Sequence, residues 1–254
     1  MELHLDVHAA NGYRSPSQRA RRITEAWFGA NMYCPACRGE RLAQNPQNTP
    51  VVDFRCSHCD EEFQVKARSL AISGRLRDAA YEPMMERVLD NRSPHFAFMH
   101  YDSSSWTVRD LLLVPGHFIT PTVIEKCRPL SRKARRAGWV GCNILTDLIP
   151  SDGRIFVVRQ GHCVPKVRVR EQWKRFEWLS DKEPEVRGWL SDVLRCVRSL
   201  EKDFTLEQVY QFEEELAALH PRNKHVRDKI RQQLQFLRDR GIIHFVGRGR
   251  YQAI

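Results

Sequence analysis

The amino-acid sequence predicts a mixed α/β fold that is followed by a small α+β unit with the outline of a winged helix. Two observations lead to this prediction. Short apolar strand candidates alternate with other segments up to residue 158, and after residue 184 the pattern is helical until two short strands end the chain. The chain has 254 residues, which is enough for two domains that each bury a core.

The first predicted element is a helix ahead of the cysteine pairs. The segment Ser15-Pro16-Ser17-Gln18 has the pattern of a capping box with proline at the first helical position. Ile23, Ala26, Trp27 and Ala30 follow at helical spacing. We therefore expect a helix that begins near the proline and ends before the first cysteine.

Two CxxC pairs lie 18 residues apart, so that four thiolates on two tight turns can enclose one tetrahedral zinc ion. Because all four ligand positions are filled, no place remains for water, and the site is expected to be structural. A disulfide is the weaker interpretation, since the N-terminus lacks the pattern of a secretory signal and a reducing compartment is expected. The predicted zinc ligands, within the segment 34–59, are Cys34, Cys37, Cys56 and Cys59.

The second CxxC pair lies between two predicted strands, because the segments 51–56 and 62–68 alternate apolar and polar residues. Gln64 and Lys66 face one side of the second strand, and Asp53 on the first strand can bring its carboxylate beside them around one hard cation. Hydrolysis of a phosphodiester uses such a cluster, since oxygen ligands hold Mg²⁺ and a lysine orients the attacking water or, as the neutral amine, deprotonates it. The alternative is an ordinary solvated face of a hairpin.

Further strands are predicted at residues 95–100, 111–114 and 154–158, with a basic helical or looped segment at 131–139. The polar stretch 180–184 contains a proline and suits a domain boundary. We therefore expect one domain over residues 1–180 and a second domain over residues 181–254.

The second domain is predicted to hold three helices, at residues 187–200, 205–219 and 223–240, followed by a β-hairpin. In helix-turn-helix proteins, Arg or Lys of the third helix reads guanine and Asn or Gln reads adenine. A protein-docking role is the alternative for this unit. The residues expected to contact nucleic acid are Asn223, Lys224, Arg227 and Arg231 near the third helix and Arg248 and Arg250 in the hairpin turn.

The net charge favours an anionic partner. The chain has 41 Lys and Arg against 31 Asp and Glu, which gives a formal charge of +10 and a pI near 9.4. Such an excess suits nucleic acid or an acidic membrane surface, and nucleic acid is the preferred interpretation. No apolar run approaches the length of a membrane span, so we expect a soluble intracellular protein with no membrane partner.

Asp53 followed by Gln64-x-Lys66 resembles the signature of the PD-(D/E)xK nucleases, in the variant that carries glutamine. Together with the preceding helix, the CxxC pairs, the segment 134–143 and the C-terminal unit, it resembles the DpnI-like family of methyl-directed type II restriction endonucleases over the whole chain. The resemblance implies a PD-(D/E)xK nuclease core with a zinc-binding hairpin that uses four cysteines. It also implies a monomer that cleaves double-stranded DNA containing N6-methyladenine, at methylated GATC, with Mg²⁺, in the cytoplasm of a bacterial-type cell.

The resemblance also implies roles for single residues. Asp53 would bind the catalytic magnesium, Gln64 would be its second ligand and Lys66 would be the catalytic lysine. An acidic residue is usual at the second position, and a neutral amide there should weaken Mg²⁺ binding. Glu62 on the same strand is a candidate to compensate. Glu25 on the first helix is another candidate acid, with a surface ion pair to a neighbouring arginine as the simpler interpretation.

The arginine-rich segment 134–143 is expected to contact DNA. By the resemblance Arg135 and Arg136 would bind phosphates, and Trp139 would stack on a base or wedge into a kinked step. A core tryptophan is the alternative. Two other functions stay open: a catalytically inactive regulator that binds methylated DNA, and a nucleic-acid-binding scaffold or processing factor that prefers RNA or single strands.

Overall fold

The computed structural model describes residues 1–46, 51–72 and 74–254. It has a mixed α/β architecture with a central sheet, as the sequence predicts. The helices are α1 (Pro16–Asn31), α2 (Tyr81–Leu89), α3 (Lys166–Arg175), α4 (Pro184–Ser199), α5 (Leu206–Tyr210), α6 (Glu213–Leu219) and α7 (Val226–Asp239). The strands are β1 (Ala43–Gln44), β2 (Phe54–Arg55), β3 (Glu62–Arg68), β4 (Arg75–Ala80), β5 (His95–Asp102), β6 (Thr107–Val114), β7 (Ile124–Lys126), β8 (Gly141–Leu145), β9 (Ile155–Arg159), β10 (His162–Cys163), β11 (Asp203–Thr205), β12 (Ile243–Gly247) and β13 (Arg250–Ala253).

The central sheet has the strand order β1-β2-β3-β5-β6-β9-β10. Strands β3 and β5 run parallel, with Gln64 opposite Phe96 and Lys66 opposite Phe98, and the other neighbours are antiparallel. A second sheet of order β4-β8-β7 carries Asp78 on its edge strand β4. The strand candidates near residues 95, 111 and 154 are therefore confirmed.

Two apolar layers cover the central sheet. Successive residues of β5 alternate between them, with Phe96 and Phe98 in one layer and Ala97 and Met99 in the other. The layer of Ala97 and Met99 contains α1, α3 and the cysteine turns. The layer of Phe96 and Phe98 contains α2 and α4 and continues into α7. A strand that is buried on both sides reads as a continuous apolar run, which explains the sequence of β5.

The C-terminal part has the helices and the three-stranded sheet of a winged helix, with the order β11-β13-β12. Thr205 and Gln208 form a capping box at the start of α5. Helix α4 is buried on all sides, since every residue from Arg187 to Leu194 is buried. Its Trp189 and Val193 belong to the layer that also holds Phe118 of the N-terminal part and Leu234 of α7. One apolar core therefore runs from the central sheet into the winged helix.

Three details of the helix predictions are wrong. Ser15 is the N-cap of α1, but its hydroxyl lies 2.9 Å from the Ser17 hydroxyl and makes no capping bond to the backbone. The second C-terminal helix is interrupted between α5 and α6. The third begins only at Val226, because the Asn223 side chain accepts a 2.7 Å hydrogen bond from the N–H of His225 and closes a turn.

The basic segment 131–139 contains turns and no helix. In the part of the chain that the structure describes, none of the helices combines the length and the apolar character that a bilayer span requires.

Candidate nuclease site and DNA-binding surfaces

The four cysteines of the CxxC pairs come together as one cluster, with all sulfur atoms within 4.8 Å of one another. Cys34 and Cys59 lie 3.5 Å apart and Cys37 and Cys56 lie 3.6 Å apart, measured between Sγ atoms. A tetrahedral zinc ion with Zn–S bonds of about 2.3 Å separates its sulfurs by about 3.8 Å. The cluster therefore fits zinc, and four thiols fill the coordination sphere. The segment 34–59 includes residues 47–50, which lie outside the described residues.

Backbone N–H groups support the sulfur atoms. Gly39 donates to Cys37 Sγ at 3.2 Å and His58 donates to Cys56 Sγ at 3.4 Å. Burial alone would raise the pKa of Cys56, but donors from the backbone of His58 and Cys59 outweigh it and lower the pKa to about 7. Burial raises the pKa of Cys34 and of Cys59, so within the cluster these contacts favour the zinc-binding thiolate at Cys56.

A cleft of about 880 Å³ opens beside the hairpin. It is bordered by α1, by the residue before β2, by β3, and by β4 and β8 of the second sheet. Its lining includes Asp53, Gln64 and Lys66, so the structure brings the three residues of the nuclease-like motif to one place. The other charged or amide side chains in the lining are Arg21, Glu25, Arg68, Arg75, Arg77 and Asn143.

Asp53 is fixed against β3 by two backbone contacts. Its N–H donates to the carbonyl of Phe63 at 3.0 Å, and its Oδ2 accepts from the N–H of Val65 at 2.8 Å. The second bond reaches the residue between Gln64 and Lys66. The carboxylate therefore cannot shift along the strand without losing a charge-assisted hydrogen bond.

Gln64 presents an unusual buried oxygen. The residue is 6% exposed, and its Oε1 has no hydrogen-bond partner among the described residues. Leaving a buried polar atom unpaired costs about 1–3 kcal/mol, and such atoms in native proteins commonly mark a site for an ion or water. Oxygen donors from Asp53, Gln64 and Glu25 suit a hard divalent cation such as Mg²⁺.

Glu25 lies within this cleft and is also paired with arginine. Its carboxylate is bonded to Arg21 Nε at 2.5 Å and lies 3.9 Å from Arg22. Arg21 also reaches to within 3.8 Å of Asp53 Oδ1. The hydrogen bond with Glu25 raises the pKa of Arg21, and the charges of Glu25 and Asp53 act in the same direction. Arg21 therefore supplies the positive charge between the two carboxylates of the cleft.

Glu62 does not share this cleft. It stands at the start of β3, where its Oε2 lies 3.7 Å from Arg87, and it lines a different cavity together with His95. The hypothesis that Glu62 compensates for the neutral amide of Gln64 is therefore wrong for this arrangement. Arg87 of α2 holds the Glu62 carboxylate at the start of β3, outside the cleft that Gln64 and Lys66 line.

Lys66 contacts a residue that the sequence analysis missed. Its Nζ forms an ion pair with Asp78 Oδ1, and the Asp78 side chain has no exposed surface. In β4 the buried positions are Leu76 and Asp78, while Arg75 and Arg77 are exposed. Residues two positions apart on a strand face the same side, so an acidic residue two positions after a buried leucine is expected to be buried as well. This pattern could have identified Asp78.

The predicted DNA-contacting segment lies next to the cleft through Arg77. The Arg77 guanidinium is 5.9 Å from the ring centre of Trp139 and also lines the cleft. Trp139 is half-buried, and its ring packs so closely on Gly141 that a Cβ there would come within 2.7 Å of it. Arg135 and Arg136 are exposed in the preceding turns. Trp139 is thus neither a fully buried core residue nor a freely projecting one.

The winged helix presents a second basic surface. Arg227 and Arg231 of α7 flank the ring of Tyr210, and Arg231 Nε donates to its hydroxyl at 2.5 Å. Lys224, Arg248 and Arg250 are exposed, whereas Asn223 is half-buried in the turn before α7. The structure therefore groups Arg227 and Arg231 on one helix face, while Asn223 and Lys224 precede that helix and Arg248 and Arg250 lie at the turn between β12 and β13.

Comparison with protein families gives two matches. Residues 1–182 match the model named DpnI, which is described as the Dam-replacing family. Residues 185–253 match its C-terminal model, which is described as a Dam-replacing HTH domain. The first match contains the cysteine cluster and the cleft, and the second contains the winged helix. The chain therefore belongs to the DpnI or Dam-replacing family and carries that family's C-terminal helix-turn-helix domain.

Proposed function

We propose that this protein is a Mg²⁺-dependent restriction endonuclease that hydrolyses double-stranded DNA containing N6-methyladenine, at methylated GATC sites. Family membership supports a methyl-directed restriction endonuclease and a DNA-binding C-terminal domain at the level of the family. The observation that carries the proposal is the meeting of the Asp53 carboxylate, the unpaired Gln64 amide oxygen and the Lys66 ammonium in one basic cleft.

Each side chain in the cleft has a chemical task in this proposal. Asp53 and Gln64 would hold the Mg²⁺ ion, with Glu25 close to the same face of the cleft. Bound Mg²⁺ supplies charge stabilisation for the phosphorane-like transition state and lowers the pKa of water. Lys66 donates hydrogen bonds to the attacking water or to a non-bridging phosphate oxygen. Arg21 and Arg77 offset the charge of the DNA backbone that enters the cleft.

The zinc cluster has a supporting role in the proposal. Cys56 follows Asp53 by three residues, and the two are joined through β2. A closed site of four cysteines offers no position for substrate, so it contributes to folding of the hairpin and not to the reaction. We assign the nuclease function to residues 1–180 and a second DNA contact to residues 181–254, in a monomeric cytoplasmic protein of a bacterial-type cell.

DNA contacts are proposed on both parts of the chain. Arg135 and Arg136 would bind phosphates beside the cleft, and Trp139 would contact a base. The methyl group of N6-methyladenine adds apolar surface in the major groove, and its burial is worth roughly 1 kcal/mol. The winged-helix contacts would come from Asn223, Lys224, Arg227, Arg231, Arg248 and Arg250.

A plasmid cleavage assay tests this function. One plasmid is prepared with and without adenine methylation and is incubated with the protein and Mg²⁺. The wild type should cut only the methylated plasmid. Lys66→Ala and Asp53→Asn should bind it and leave it intact, while Lys174→Ala, which removes an exposed lysine outside the cleft, should cut like the wild type.

The neutral amide at Gln64 favours a second candidate, a regulator that reads methylated DNA without cutting it. That candidate predicts methyl-dependent binding with no cleavage at any Mg²⁺ concentration. Cleavage of both plasmids alike would refute modification dependence, and absence of binding to either would refute both candidates.

A further inference from the structure

Asp78 is a buried carboxylate at the side of the cleft, and nothing in the motif of Asp53, Gln64 and Lys66 accounts for it. Its side chain is fully buried and placed on β4 in phase with the apolar Leu76. Apart from the Lys66 ammonium, neither of its oxygens has a hydrogen-bond donor among the described residues. The ion pair with Lys66 is the contact that the structure gives this carboxylate. An ionised carboxylate in such a place is strongly unfavourable unless a cation accompanies it.

The pairing of strand β4 shifts by one residue next to Asp78, as in a β-bulge. Strand β4 pairs with β8 so that Arg77 is opposite Asn143 and Ala80 is opposite Gly141. Three steps along β4 thus correspond to two steps along β8, and the extra residue falls at Asp78 or its successor. A bulge locally increases the twist of a strand and redirects a side chain, and bulges are frequent beside active sites.

The Lys66 side chain joins the two sheets. It belongs to β3 of the central sheet and lines the cleft, where 28% of its side chain is exposed, while its Nζ contacts Asp78 of the second sheet. A lysine has a flexible four-carbon stem, so an unanchored ammonium would sample many positions in the cleft. A single buried partner limits that freedom, while the lysine side chain still lines the cleft.

We propose that Asp78 is a positioning residue for the nuclease reaction, which holds the Lys66 ammonium at the cleft side of β4. The inference rests on the proposed nuclease function and adds to it a residue that does not touch DNA or metal. The two carboxylates then have different roles. Asp53 binds the cation, and Asp78 holds the Lys66 ammonium in position.

The position of a catalytic group has a large effect on rate, because a misplacement of about 1 Å can cost about 100-fold. Asp78→Asn keeps the size of the side chain and removes its charge. We expect this variant to cleave methylated DNA about 100-fold more slowly in single turnover, while its Kd for the same DNA, measured without divalent metal, changes less than about twofold.

Asp152→Asn is the matched control. Asp152 is also a buried acid in an ion pair, with both oxygens bonded to Arg198 at 2.7 and 2.8 Å, and it lies outside the cleft. Loss of this pair should lower thermal stability and leave the cleavage rate of the folded protein unchanged. A merely structural Asp78 would behave in the same way as Asp152.

A second measurement is independent of cleavage. Lys66→Met leaves the buried Asp78 carboxylate without its cation and should lower the unfolding midpoint by about 10 °C. Adding Asp78→Asn to Lys66→Met removes the stranded charge and should restore most of that loss. Thermal unfolding of the two single variants, the double variant and the wild type completes the cycle.

The outcomes separate the inference from the proposed function. Cleavage by Asp78→Asn at the wild-type rate would overturn the positioning role. A slower rate accompanied by a comparable loss of DNA affinity and by a lower unfolding midpoint would overturn it as well. If the wild type cuts no DNA, the nuclease proposal fails and positioning for that reaction fails with it. The thermal cycle then still decides whether Asp78 holds Lys66, since additive effects of the two substitutions would exclude the pair.

Discussion

The Nε atom of Arg227 lies 2.7 Å from Oε2 of Glu213, so the first turn of α7 is tied to the start of α6. The Arg227 guanidinium also lies 4.9 Å from the ring centre of Tyr210. This arginine is therefore held in one orientation although 59% of its side chain is exposed. An exposed ion pair contributes little stability, and a DNA phosphate can replace the carboxylate at small cost.

Replacing Glu213 by Gln should increase DNA affinity. The substitution frees Arg227 and removes a negative charge that repels the DNA backbone, so we expect Kd to fall about threefold at low salt and less at high salt. Fluorescence anisotropy at two salt concentrations measures the effect. Glu214→Gln removes the neighbouring negative charge and serves as the control. Equal gains in both variants would show that net charge alone, and not release of Arg227, determines affinity.

Removal of zinc should unfold the hairpin and abolish the cleft. Cys56→Ser leaves three thiols, and because Asp53 is held by its contacts with β3, loss of the turn that joins β2 and β3 should displace it. We expect a lower unfolding midpoint, loss of bound zinc measured by a colorimetric chelator, and loss of cleavage. Cys163→Ser, at an exposed cysteine outside the cluster, should retain the zinc of the wild type. A zinc-free wild type with an unchanged midpoint would contradict the structural role.

Gln64→Glu should strengthen Mg²⁺ binding. It adds a negative charge beside Asp53 in the same cleft, and we expect half-maximal cleavage at about tenfold lower Mg²⁺ concentration. In the absence of metal the buried new carboxylate should lower the unfolding midpoint, because the residue is 6% exposed. A Mg²⁺ titration of cleavage, with Gln172→Glu on the exposed side of α3 as the control, checks the metal requirement, and thermal unfolding without metal checks the midpoint. An unchanged Mg²⁺ requirement would remove Gln64 from the proposed metal site.

Trp139→Ala and Arg136→Gln should affect DNA binding in different ways. Loss of the phosphate contact of Arg136 should weaken binding to methylated and unmethylated DNA equally and reduce the slope of log K against log salt by about 1. Loss of the indole should reduce the preference for methylated DNA and leave that slope unchanged. Salt-dependent binding to both DNAs distinguishes the two effects. An unaltered methyl preference in Trp139→Ala would place methyl recognition elsewhere.

The sequence was sufficient for the local parts of the site. The cluster of four cysteines and the grouping of Asp53, Gln64 and Lys66 follow from spacing and from alternation on one hairpin, because their geometry depends on few intervening residues. The place of Glu25 in the cleft depends on how α1 packs, which spacing along the sequence does not show. Its ion pair with Arg21 is compatible with both interpretations that the sequence allowed.

Other features depend on contacts that a local sequence pattern does not show. Alternation with Leu76 could have marked Asp78 as buried, but its approach to Lys66 depends on the pairing of β4 with β8, which follows only after β5, β6 and β7 along the chain. The capping box at Ser15 was wrong because another hydroxyl, that of Ser17, is within reach. The third C-terminal helix is predicted to begin at Asn223, whereas the Asn223 side chain forms a turn with the backbone of His225.

The continuous core that joins the central sheet to α4 has a consequence for synthesis of the chain. Asp53, Gln64 and Lys66 leave the ribosome early, but β6, which pairs with β5, and β9, which pairs with β6, follow later. Helix α4 ends only at Ser199. Until then the nascent chain exposes sheet edges and an uncovered apolar layer. Incomplete translation products therefore carry Asp53, Gln64 and Lys66 but are not expected to form the cleft. The site is expected to assemble only after most of the chain has been synthesised.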